Sequence, residues 1–313
     1  MKILITGSTG FLGQHMVKAL SSHDVRGVSR TAPHISNPVK FLSTREEELV
    51  TWDEKANHYK ADLSSDFQVK KVFKHWSPDC VIHLAANPLI KEDKKNPAAI
   101  IDDNVKATFN LVNRCPKGCR FLFASSIVAY GTAIEGKSFM EDDYCNPTSM
   151  YGVCKLASEG IVNTYTGFGK IHGVNLRACA TVGPGLTHGI VYDFERKLRS
   201  DSDELDVIGE YPGSCKPFCH VDDLVSAFQL FLDKEVTGTF NVVPDNEISV
   251  VEVAEAVMSS LNIYKPLNWL GANANWKGDN PKLSASNSRL KTLGWKPKHW
   301  DSMEVIVNRT KSV

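Results

Sequence analysis

The chain has no excess of charge of either sign and no long apolar run. Lysine plus arginine and aspartate plus glutamate each number 36 among 313 residues. A basic surface that would bind nucleic acid or an anionic membrane is therefore not expected. No apolar run approaches the roughly 20 residues that a bilayer-spanning helix needs. The N-terminal residues have one lysine and a short apolar stretch before the glycines, unlike a signal peptide. We expect a soluble, cytoplasmic protein with no nucleic-acid or membrane partner.

The sequence also lacks the compact cysteine clusters of a zinc-binding module. Cys115 and Cys119 are four positions apart, as are Cys215 and Cys219, and His220 follows the second pair. These pairs flank predicted strands instead of forming the short knuckles that zinc sites use. We predict reduced thiols and no metal site.

Short apolar runs alternate with longer amphipathic segments, which is typical of βαβ units around a mostly parallel sheet. The predicted strands cover 2–6, 25–29, 58–61, 80–84 and 120–124, and the predicted helices cover 11–21, 66–76, 97–114 and 151–166. Residues 31–57 lack clear periodicity and are predicted to be largely a surface insertion. The fold class is therefore α/β, with a doubly wound parallel sheet.

The second half of the chain has a looser pattern. Gly183-Pro184-Gly185 interrupts it, and a helix at 221–232, a strand at 239–243 and a helix at 250–261 follow. The sequence contains no internal repeat and no low-complexity linker. We predict a nucleotide-binding domain over 1–175 plus about 217–243. A smaller C-terminal substrate-binding lobe is predicted over about 176–216 and 244–313.

A glycine-rich turn lies directly between the first predicted strand and the first predicted helix. Glycines at this place let the backbone approach a pyrophosphate, whose charge meets free N–H groups at the helix N-terminus. The strand before the turn and the helix after it are the context that such a motif requires. The turn predicts a Rossmann-type dinucleotide site that includes Gly7, Thr9, Gly10, Phe11, Leu12 and Gly13.

The end of the second strand bears on the choice of cofactor. Ser29 occupies the place where NAD-selecting enzymes carry an acid, and Arg30 follows it. A guanidinium suits the 2′-phosphate of NADP, and no carboxylate at that position repels it. We predict NADP(H), with NAD(H) as the alternative. The prediction of NADP(H) depends on Arg30 facing the cofactor, and the other possibility is that its side chain points into solvent. Asp62, with Leu63, is a candidate for binding adenine, and the alternative role of Asp62 is a helix cap.

Tyr151 and Lys155 lie four positions apart at the start of a predicted helix, so their side chains share one face. A nearby ammonium favours the phenolate and lowers the pKa of the tyrosine, which makes the phenol useful for proton transfer. Ser126 ends a strand 25 residues earlier and can hydrogen-bond the same substrate oxygen. The three residues are predicted to be catalytic.

With these motifs in order, the chain resembles the extended short-chain dehydrogenase/reductase family, in its nucleotide-sugar epimerase/dehydratase group, over essentially its whole length. The motifs are GSTGFLG (7–13), ADL (61–63), VIHLAA (81–86), DNVKATFNL (103–111), FASSIVAYG (123–131), PTSMYGVCK (147–155), LRACATVGPG (176–185), KPFCHVDDL (216–224) and LGWKP (293–297).

The resemblance implies roles for particular residues. Ser126 is then the catalytic serine, Tyr151 the acid/base, and Lys155 its partner and a ligand of the cofactor ribose. Asn104 is implied in the supporting polar network. Residues of the VIHLAA motif are implied to line the cofactor channel: His83, Leu84, Ala85 and Ala86.

Several positions depart from the family pattern. Ile127 and Val128 stand where dehydratases of the family carry an Asp-Glu pair, so a 4,6-dehydratase is not expected. Ala180 replaces an asparagine that contacts the sugar diphosphate, and Lys216 stands where an arginine often meets a phosphate. Trp276 replaces another such residue. Substrate contacts are predicted for Ser125, Ser126, Ala180 and Lys216.

The leading interpretation is an NADPH-dependent reductase of a nucleotide-linked 4-keto sugar. The alternatives are a 4-epimerase with a retained NAD, a non-catalytic cofactor sensor, and a reductase of another carbonyl compound. The resemblance also implies a homodimer that pairs the helices at 97–114 and 151–166.

Overall fold

The buried apolar run at the N-terminus forms the middle strand of a nine-stranded sheet. The strands are β1 Lys2–Thr6, β2 Asp24–Ser29, β3 Lys40–Phe41, β4 Thr51–Asp53, β5 His58–Lys60, β6 Cys80–His83, β7 Cys119–Ser126, β8 Ile171–Ala178 and β13 Gly238–Val242. Their order across the sheet is β13-β8-β7-β6-β1-β2-β5-β4-β3. The pairs from β7 through β6, β1 and β2 to β5 are parallel, whereas β5, β4 and β3 pair antiparallel. The predicted α/β class with a mostly parallel central sheet is confirmed.

The computed structural model describes residues 1–31, 40–41, 50–88, 96–132, 136–271 and 280–311. The chain divides into two compact units. The first contains Met1–Ala129, Ser149–Arg177 and Phe228–Phe240, and the second contains Tyr130–Thr148, Ala178–Ala227 and Asn241–Val313. The predicted domain boundaries concern which parts bind cofactor and substrate, so they stay a prediction.

The first unit holds helices α1 Phe11–Ala19, α2 Asp66–His75, α3 Pro97–Ile101, α4 Ala107–Arg114 and α5 Met150–Gly167. Side chains in the sequence fix several helix starts: the Ser65 hydroxyl accepts from Gln68 N, and the Ser149 hydroxyl accepts from Gly152 N. Between α3 and α4, Asp102–Lys106 forms a π-helical turn within one continuous helical segment. Such turns widen a helix locally and are frequent at functional sites.

The prediction of a surface insertion over 31–57 is wrong for its C-terminal part. Thr51–Asp53 is buried and pairs with His58–Lys60 in the main sheet. Aromatic packing holds it there, because the Trp52 ring lies 4.5 Å from that of Tyr59, and the Arg26 guanidinium lies 4.4 Å from the Trp52 ring. Residues 32–39 and 42–49 of the predicted insertion lie outside the described residues.

The second unit is built from shorter elements. Its strands are β9 Ala180–Val182, β10 Leu205–Val207, β11 Cys215–Lys216, β12 Phe218–His220, β14 Ile248–Ser249 and β15 Leu267–Trp269, and they form the pairs β9–β12, β10–β15 and β11–β14. Its helices are α6 Ile190–Leu198, α7 Val221–Leu230 (which ends in the first unit), α8 Val250–Leu261, α9 Ser288–Thr292 and α10 Ser302–Lys311. A capping box of Ser249 and Glu252 starts α8.

The described part of the chain bears on two sequence expectations, the lack of a membrane-spanning helix and the lack of a metal site. In that part of the chain, every helix is too short or too polar to cross a membrane. The same residues contain no group of three or more His, Cys, Asp or Glu side chains that could hold a metal ion. All the cysteines of the chain are free thiols, and most of them are buried.

Candidate functional site

The glycine-rich turn joins β1 to α1 by a path that a side chain would block. Gly7 has φ +68° and its N–H donates to the Val28 carbonyl at 2.8 Å. A Cβ atom at Gly7 would lie 2.9 Å from the Ala85 nitrogen, and one at Gly13 would overlap the Gly7 carbonyl oxygen. Among the described residues, no side chain caps the start of α1 at Gly10. The first N–H groups of this helix therefore remain available to an anion such as a pyrophosphate.

The turn opens into a cleft of about 290 Å³ in the first unit. It is lined by Gly7, Thr9, Gly10, Ser29, Arg30, Thr31, Ala61, Asp62, Leu63, Ser64, Leu84, Ala85, Ala86, Asp103 and Ala107. Most of the predicted cofactor residues thus lie around one cavity at the carboxyl ends of parallel strands, where such folds bind ligands. The residues fit a dinucleotide, because the close backbone turn and an uncapped helix start lie at one end and polar strand ends lie at the other.

Six predicted cofactor residues do not line this cleft: Phe11, Leu12, Gly13, His83, Asn104 and Lys155. A larger cavity of about 960 Å³ lies beside α1 and β2 and shares Thr9 and Thr31 with the cleft. We assign the cofactor to the smaller cleft, since it alone of the two contains Gly7, Gly10 and the ends of the neighbouring strands. Cofactor binding by each of these residues stays a prediction.

Arg30 does not point freely into solvent. Its Nη1 atom lies 3.0 Å from Asp103 Oδ1 and 3.1 Å from Asp103 Oδ2. Asn87 Nδ2 also donates to Asp103 Oδ2, at 3.0 Å. The prediction of NADP rested on the strand end alone, where Ser29 replaces an acid. The π-helical turn brings a carboxylate, Asp103, to the same cleft from 73 positions further along the chain.

Ser29 and Asp62 have their polar atoms engaged locally. The Ser29 hydroxyl donates to the Thr31 carbonyl at 2.5 Å and lies 2.9 Å from His58 Nε2. Asp62 Oδ1 accepts from the Ser64 N–H and hydroxyl, each at 2.9 Å. The alternative role of Asp62 as the cap of α2 is wrong, since Ser65 holds that position. Adenine binding by Asp62 stays a prediction.

Two of the predicted catalytic residues, Tyr151 and Lys155, lie near the start of α5, and the third, Ser126, ends β7. Lys155 is only 3% exposed, and its Nζ atom donates to the Ala124 carbonyl at 2.6 Å. The same atom lies 5.3 Å from the centre of the Tyr151 ring. Ser126 is the last residue of β7, and its hydroxyl accepts from the Val128 N–H at 3.4 Å. The Lys155 contact therefore ties the helix that carries Tyr151 to the strand that carries Ser126.

Burial sets the protonation states of this group. It raises the pKa of Tyr151 to about 12, so the lowering of this pKa predicted from the sequence is wrong and the phenol is neutral at physiological pH. It also lowers the pKa of Lys155 to about 8, and the nearby Glu159 carboxylate opposes that shift. Below that pH the ammonium is mostly charged. The arrangement therefore places a protonated phenol beside a cation, which suits proton donation to a substrate oxygen.

A buried ion pair that the sequence analysis missed lies next to the predicted catalytic residues. Arg177 donates to Glu159 Oε1 from Nε at 2.9 Å and to Oε2 from Nη2 at 2.7 Å. The Ser125 hydroxyl donates to Glu159 Oε1. Glu159 follows Lys155 by four positions, a spacing that could have marked it as a neighbour on the same helix face. Substrate binding by Ser125 stays a prediction, and its hydroxyl is engaged with Glu159.

Asn104 occupies the π-helical turn and is buried. Its Nδ2 atom donates to the Ile100 carbonyl at 2.8 Å, and its Oδ1 atom accepts from the Asn87 N–H at 3.1 Å. His83 bridges Thr6 and Thr108, with its Nδ1 and Nε2 atoms 2.7 Å and 3.0 Å from the two hydroxyls. Burial lowers the pKa of His83 to about 3, so the ring is neutral. Both residues order the strand ends beneath the cleft.

The remaining predicted positions belong to several parts of the chain. Ala180 is an exposed residue of β9, and Lys216 belongs to β11, both in the second unit. Trp276 lies outside the described residues. Ile127 is 3% exposed in a short 3₁₀ turn that it shares with Val128, so neither position offers a titratable group.

Comparison with known proteins shows the family. Residues 3–243 match the NAD dependent epimerase/dehydratase family. UDP-glucose 4-epimerase of Lactobacillus helveticus is 26% identical over 336 residues, covering 99% of this chain and 96% of that protein. The dTDP-4-dehydro-6-deoxyglucose reductase of Escherichia coli is 29% identical over 316 residues, covering 94% and 92%.

The fold is shared with solved structures. The crystal structure of Thermus thermophilus UDP-glucose 4-epimerase in complex with NAD matches with a TM-score of 0.84 and 23% identity, over 100% of both chains. The resemblance stated from the sequence is confirmed, and so is the expectation of a Rossmann-type enzyme. The chain is an enzyme that belongs to the NAD dependent epimerase/dehydratase family, in the extended short-chain dehydrogenase/reductase group.

Proposed function

We propose that the protein is an NADPH-dependent reductase of the 4-keto group of a nucleotide-linked sugar. The observation that carries the proposal is the Lys155 Nζ atom 5.3 Å from the centre of the Tyr151 ring, in the unit that holds the dinucleotide cleft. A carbonyl reduction needs a proton donor at the oxygen, and a phenol with a raised pKa is in the donor form at neutral pH.

The residues of the chain then have distinct roles. Bound NADPH would supply the hydride that the carbonyl carbon receives. Tyr151 donates the proton to the carbonyl oxygen, and Ser126 hydrogen-bonds the same oxygen and holds it in line. Lys155 stabilises the negative charge that develops on the phenol oxygen as the proton leaves. Its bond to the Ala124 carbonyl keeps the ammonium in place.

The positions next to Ser126 argue against dehydration. Removal of water from the sugar needs one group to take a proton and another to protonate the leaving hydroxyl. Ile127 and Val128 follow Ser126 directly, and neither side chain can exchange a proton. The relative from Escherichia coli is named as a reductase of a dTDP-linked dehydro sugar, which is the reaction class proposed here.

A specific observation also favours a second candidate, a nucleotide-sugar 4-epimerase with a retained NAD. The Arg30 guanidinium is paired with the Asp103 carboxylate, so a 2′-phosphate would have to share it with that acid. Two of the relatives described above are named as UDP-glucose 4-epimerases. The two candidates use the same Ser126, Tyr151 and Lys155 and differ in whether the nicotinamide is consumed. A non-catalytic sensor has no use for the intact proton-transfer group.

The remaining parts of the proposal concern substrate and partners. The substrate is a nucleotide-linked sugar, with Ser125, Ser126, Ala180 and Lys216 as predicted contacts, and the enzyme works in the cytoplasm. We also propose a homodimer formed by the outer faces of the helices that begin at Pro97 and Met150. Ile101, Phe109 and Val153 on these helices are 44%, 43% and 43% exposed, an unusual amount of apolar surface for neighbouring helices.

A cofactor-balance experiment tests the proposal. Purified protein is incubated with NADPH and a dTDP-linked 4-keto-6-deoxy sugar, and NADPH absorbance and the sugar products are followed together. We expect one NADPH consumed for each sugar reduced. The Tyr151→Phe variant should lose about two to four orders of magnitude in kcat while still binding NADPH.

The second candidate predicts that no cofactor is consumed. Protein that carries NAD from purification would then interconvert UDP-glucose and UDP-galactose with no added nucleotide. That result would support the epimerase and contradict the reductase. Near-normal turnover by Tyr151→Phe in either assay would contradict both candidates.

A further inference from the structure

The cofactor cleft carries an ion pair across its polar end. Arg30 comes from the end of β2, whereas Asp103 comes from the π-helical turn. The Arg30 side chain is 62% exposed and the Asp103 side chain is only 15% exposed, and both line the cleft. Asn87 fixes the Asp103 carboxylate from the other side. The less mobile member of the pair is therefore the acid, which holds Arg30 in place.

The pair changes the charge that a cofactor meets. The ionisable residues that line the cleft are Arg30, Asp62 and Asp103, so two carboxylates accompany one guanidinium. A 2′-phosphate that binds Arg30 must share this guanidinium with Asp103. An unphosphorylated ribose brings no charge and meets no such competition. The difference in electrostatic binding energy between NADP(H) and NAD(H) at this cleft therefore depends on Asp103 as well as on Arg30.

We propose that Asp103 is a specificity-determining residue that restrains the binding of NADP(H) relative to NAD(H) by pairing with Arg30 and repelling the 2′-phosphate. This inference rests on the proposed dinucleotide site and adds a second determinant to it. Arg30 attracts the 2′-phosphate and Asp103 repels it. Because the two effects oppose each other, the wild-type enzyme binds both NADP(H) and NAD(H), with only a modest difference in affinity between them.

The size of the effect follows from Coulomb's law. Two anions bound to one guanidinium lie closer together than one Debye length, which is about 8 Å at physiological ionic strength. In a solvent-exposed cleft, a dianionic phosphate and a carboxylate at such a distance repel each other by enough to change affinity about tenfold at low ionic strength. Screening at physiological salt reduces the change to about threefold. The effect of Asp103 should therefore decrease as salt rises.

Nucleotide titrations of four proteins test the inference without any substrate. NADPH and NADH are added to nucleotide-free wild type, Asp103→Asn, Arg30→Ala and Asp102→Asn, and nicotinamide fluorescence is followed at low and physiological salt. Asp102 is the matched control because it is the adjacent acid on the same turn. It pairs with Lys106 at 3.6 Å on the exposed side, where both side chains are about half exposed.

The expected result is specific to one nucleotide and one acid. Asp103→Asn keeps the shape of the side chain and should bind NADPH about tenfold more tightly at low salt, with NADH affinity unchanged. Arg30→Ala should weaken NADPH binding, and Asp102→Asn should resemble wild type.

Other outcomes overturn the inference in distinguishable ways. Unchanged NADPH affinity in Asp103→Asn, or an equal change in Asp102→Asn, would show that Asp103 does not select the cofactor. Weaker NADH binding in Asp103→Asn would instead make Asp103 a ribose ligand. Failure of wild type to bind either nucleotide would overturn the dinucleotide site itself and, with it, this role of Asp103.

Discussion

The buried ion pair of Glu159 and Arg177 allows a quantitative test of what stabilises the end of β7. The two side chains are 3% and 5% exposed and share two hydrogen bonds. Glu159 also accepts from the Ser125 hydroxyl, next to Ser126 on β7. Replacing Glu159 with glutamine keeps the shape of the side chain but removes the charge that compensates Arg177.

The expected cost comes from an uncompensated buried charge. Removing one partner of a buried ion pair typically lowers the free energy of unfolding by about 3–5 kcal/mol. For a domain of this size, each kcal/mol changes the melting temperature by about 2–4 °C, which gives a decrease of roughly 6–20 °C. Replacing both residues by apolar ones of similar volume, Glu159→Leu with Arg177→Met, should recover most of this loss, because neither charge then remains buried.

Thermal unfolding followed by circular dichroism measures these differences. The matched control is Arg196→Met, which breaks an exposed pair with Asp193 (3.0 Å, with side chains 65% and 39% exposed) and should cost less than about 1 kcal/mol. The reasoning would be refuted if Glu159→Gln melted within a degree or two of wild type. A double variant less stable than Glu159→Gln would refute it as well.

Three further predictions concern the cofactor turn, the pH dependence and the oligomer. Gly13→Ala should abolish nucleotide binding in fluorescence titrations, because the added Cβ overlaps the Gly7 carbonyl oxygen; retained affinity would mean that the turn relaxes. The value of kcat/KM should decrease as pH rises through about 8, because Lys155 loses its charge there; a profile that is flat to pH 10 would contradict that pKa. Phe109→Glu should convert a dimer into monomers in sedimentation experiments, and a dimer that persists in this variant would contradict the proposed interface.

Local patterns in the sequence predicted most elements of the fold. The strand at 2–6 and the helix at 250–261 have the predicted bounds. Both have signals within a few residues: an apolar run before a glycine turn in the first case, and a serine with a glutamate three positions later in the second. The signal for the glycine turn was also local, because the φ value and the close backbone approach that the turn requires exclude larger residues.

Spacing along one helix predicted part of the candidate site. Tyr151 and Lys155 share a face because a helix places residues four apart side by side. The same rule would have marked Glu159 as a neighbour of Lys155. The prediction did not include Arg177, because that residue lies on β8 and not on the same helix. It also did not include the hydrogen bond between Lys155 Nζ and the Ala124 carbonyl.

The sequence by itself therefore determined the family, the mostly parallel sheet and the conformation of the glycine turn, and it predicted the proton-transfer residues. The tertiary structure alone decided that Thr51–Asp53 joins the main sheet and that Asp103 faces Arg30 across the cleft. Periodicity, helix caps and glycine conformation act over a few neighbouring residues, so they can be read along the chain. An ion pair between residues 73 positions apart forms only where packing and a π-helical turn bring the two side chains together. The charge at the cofactor site is set by such packing.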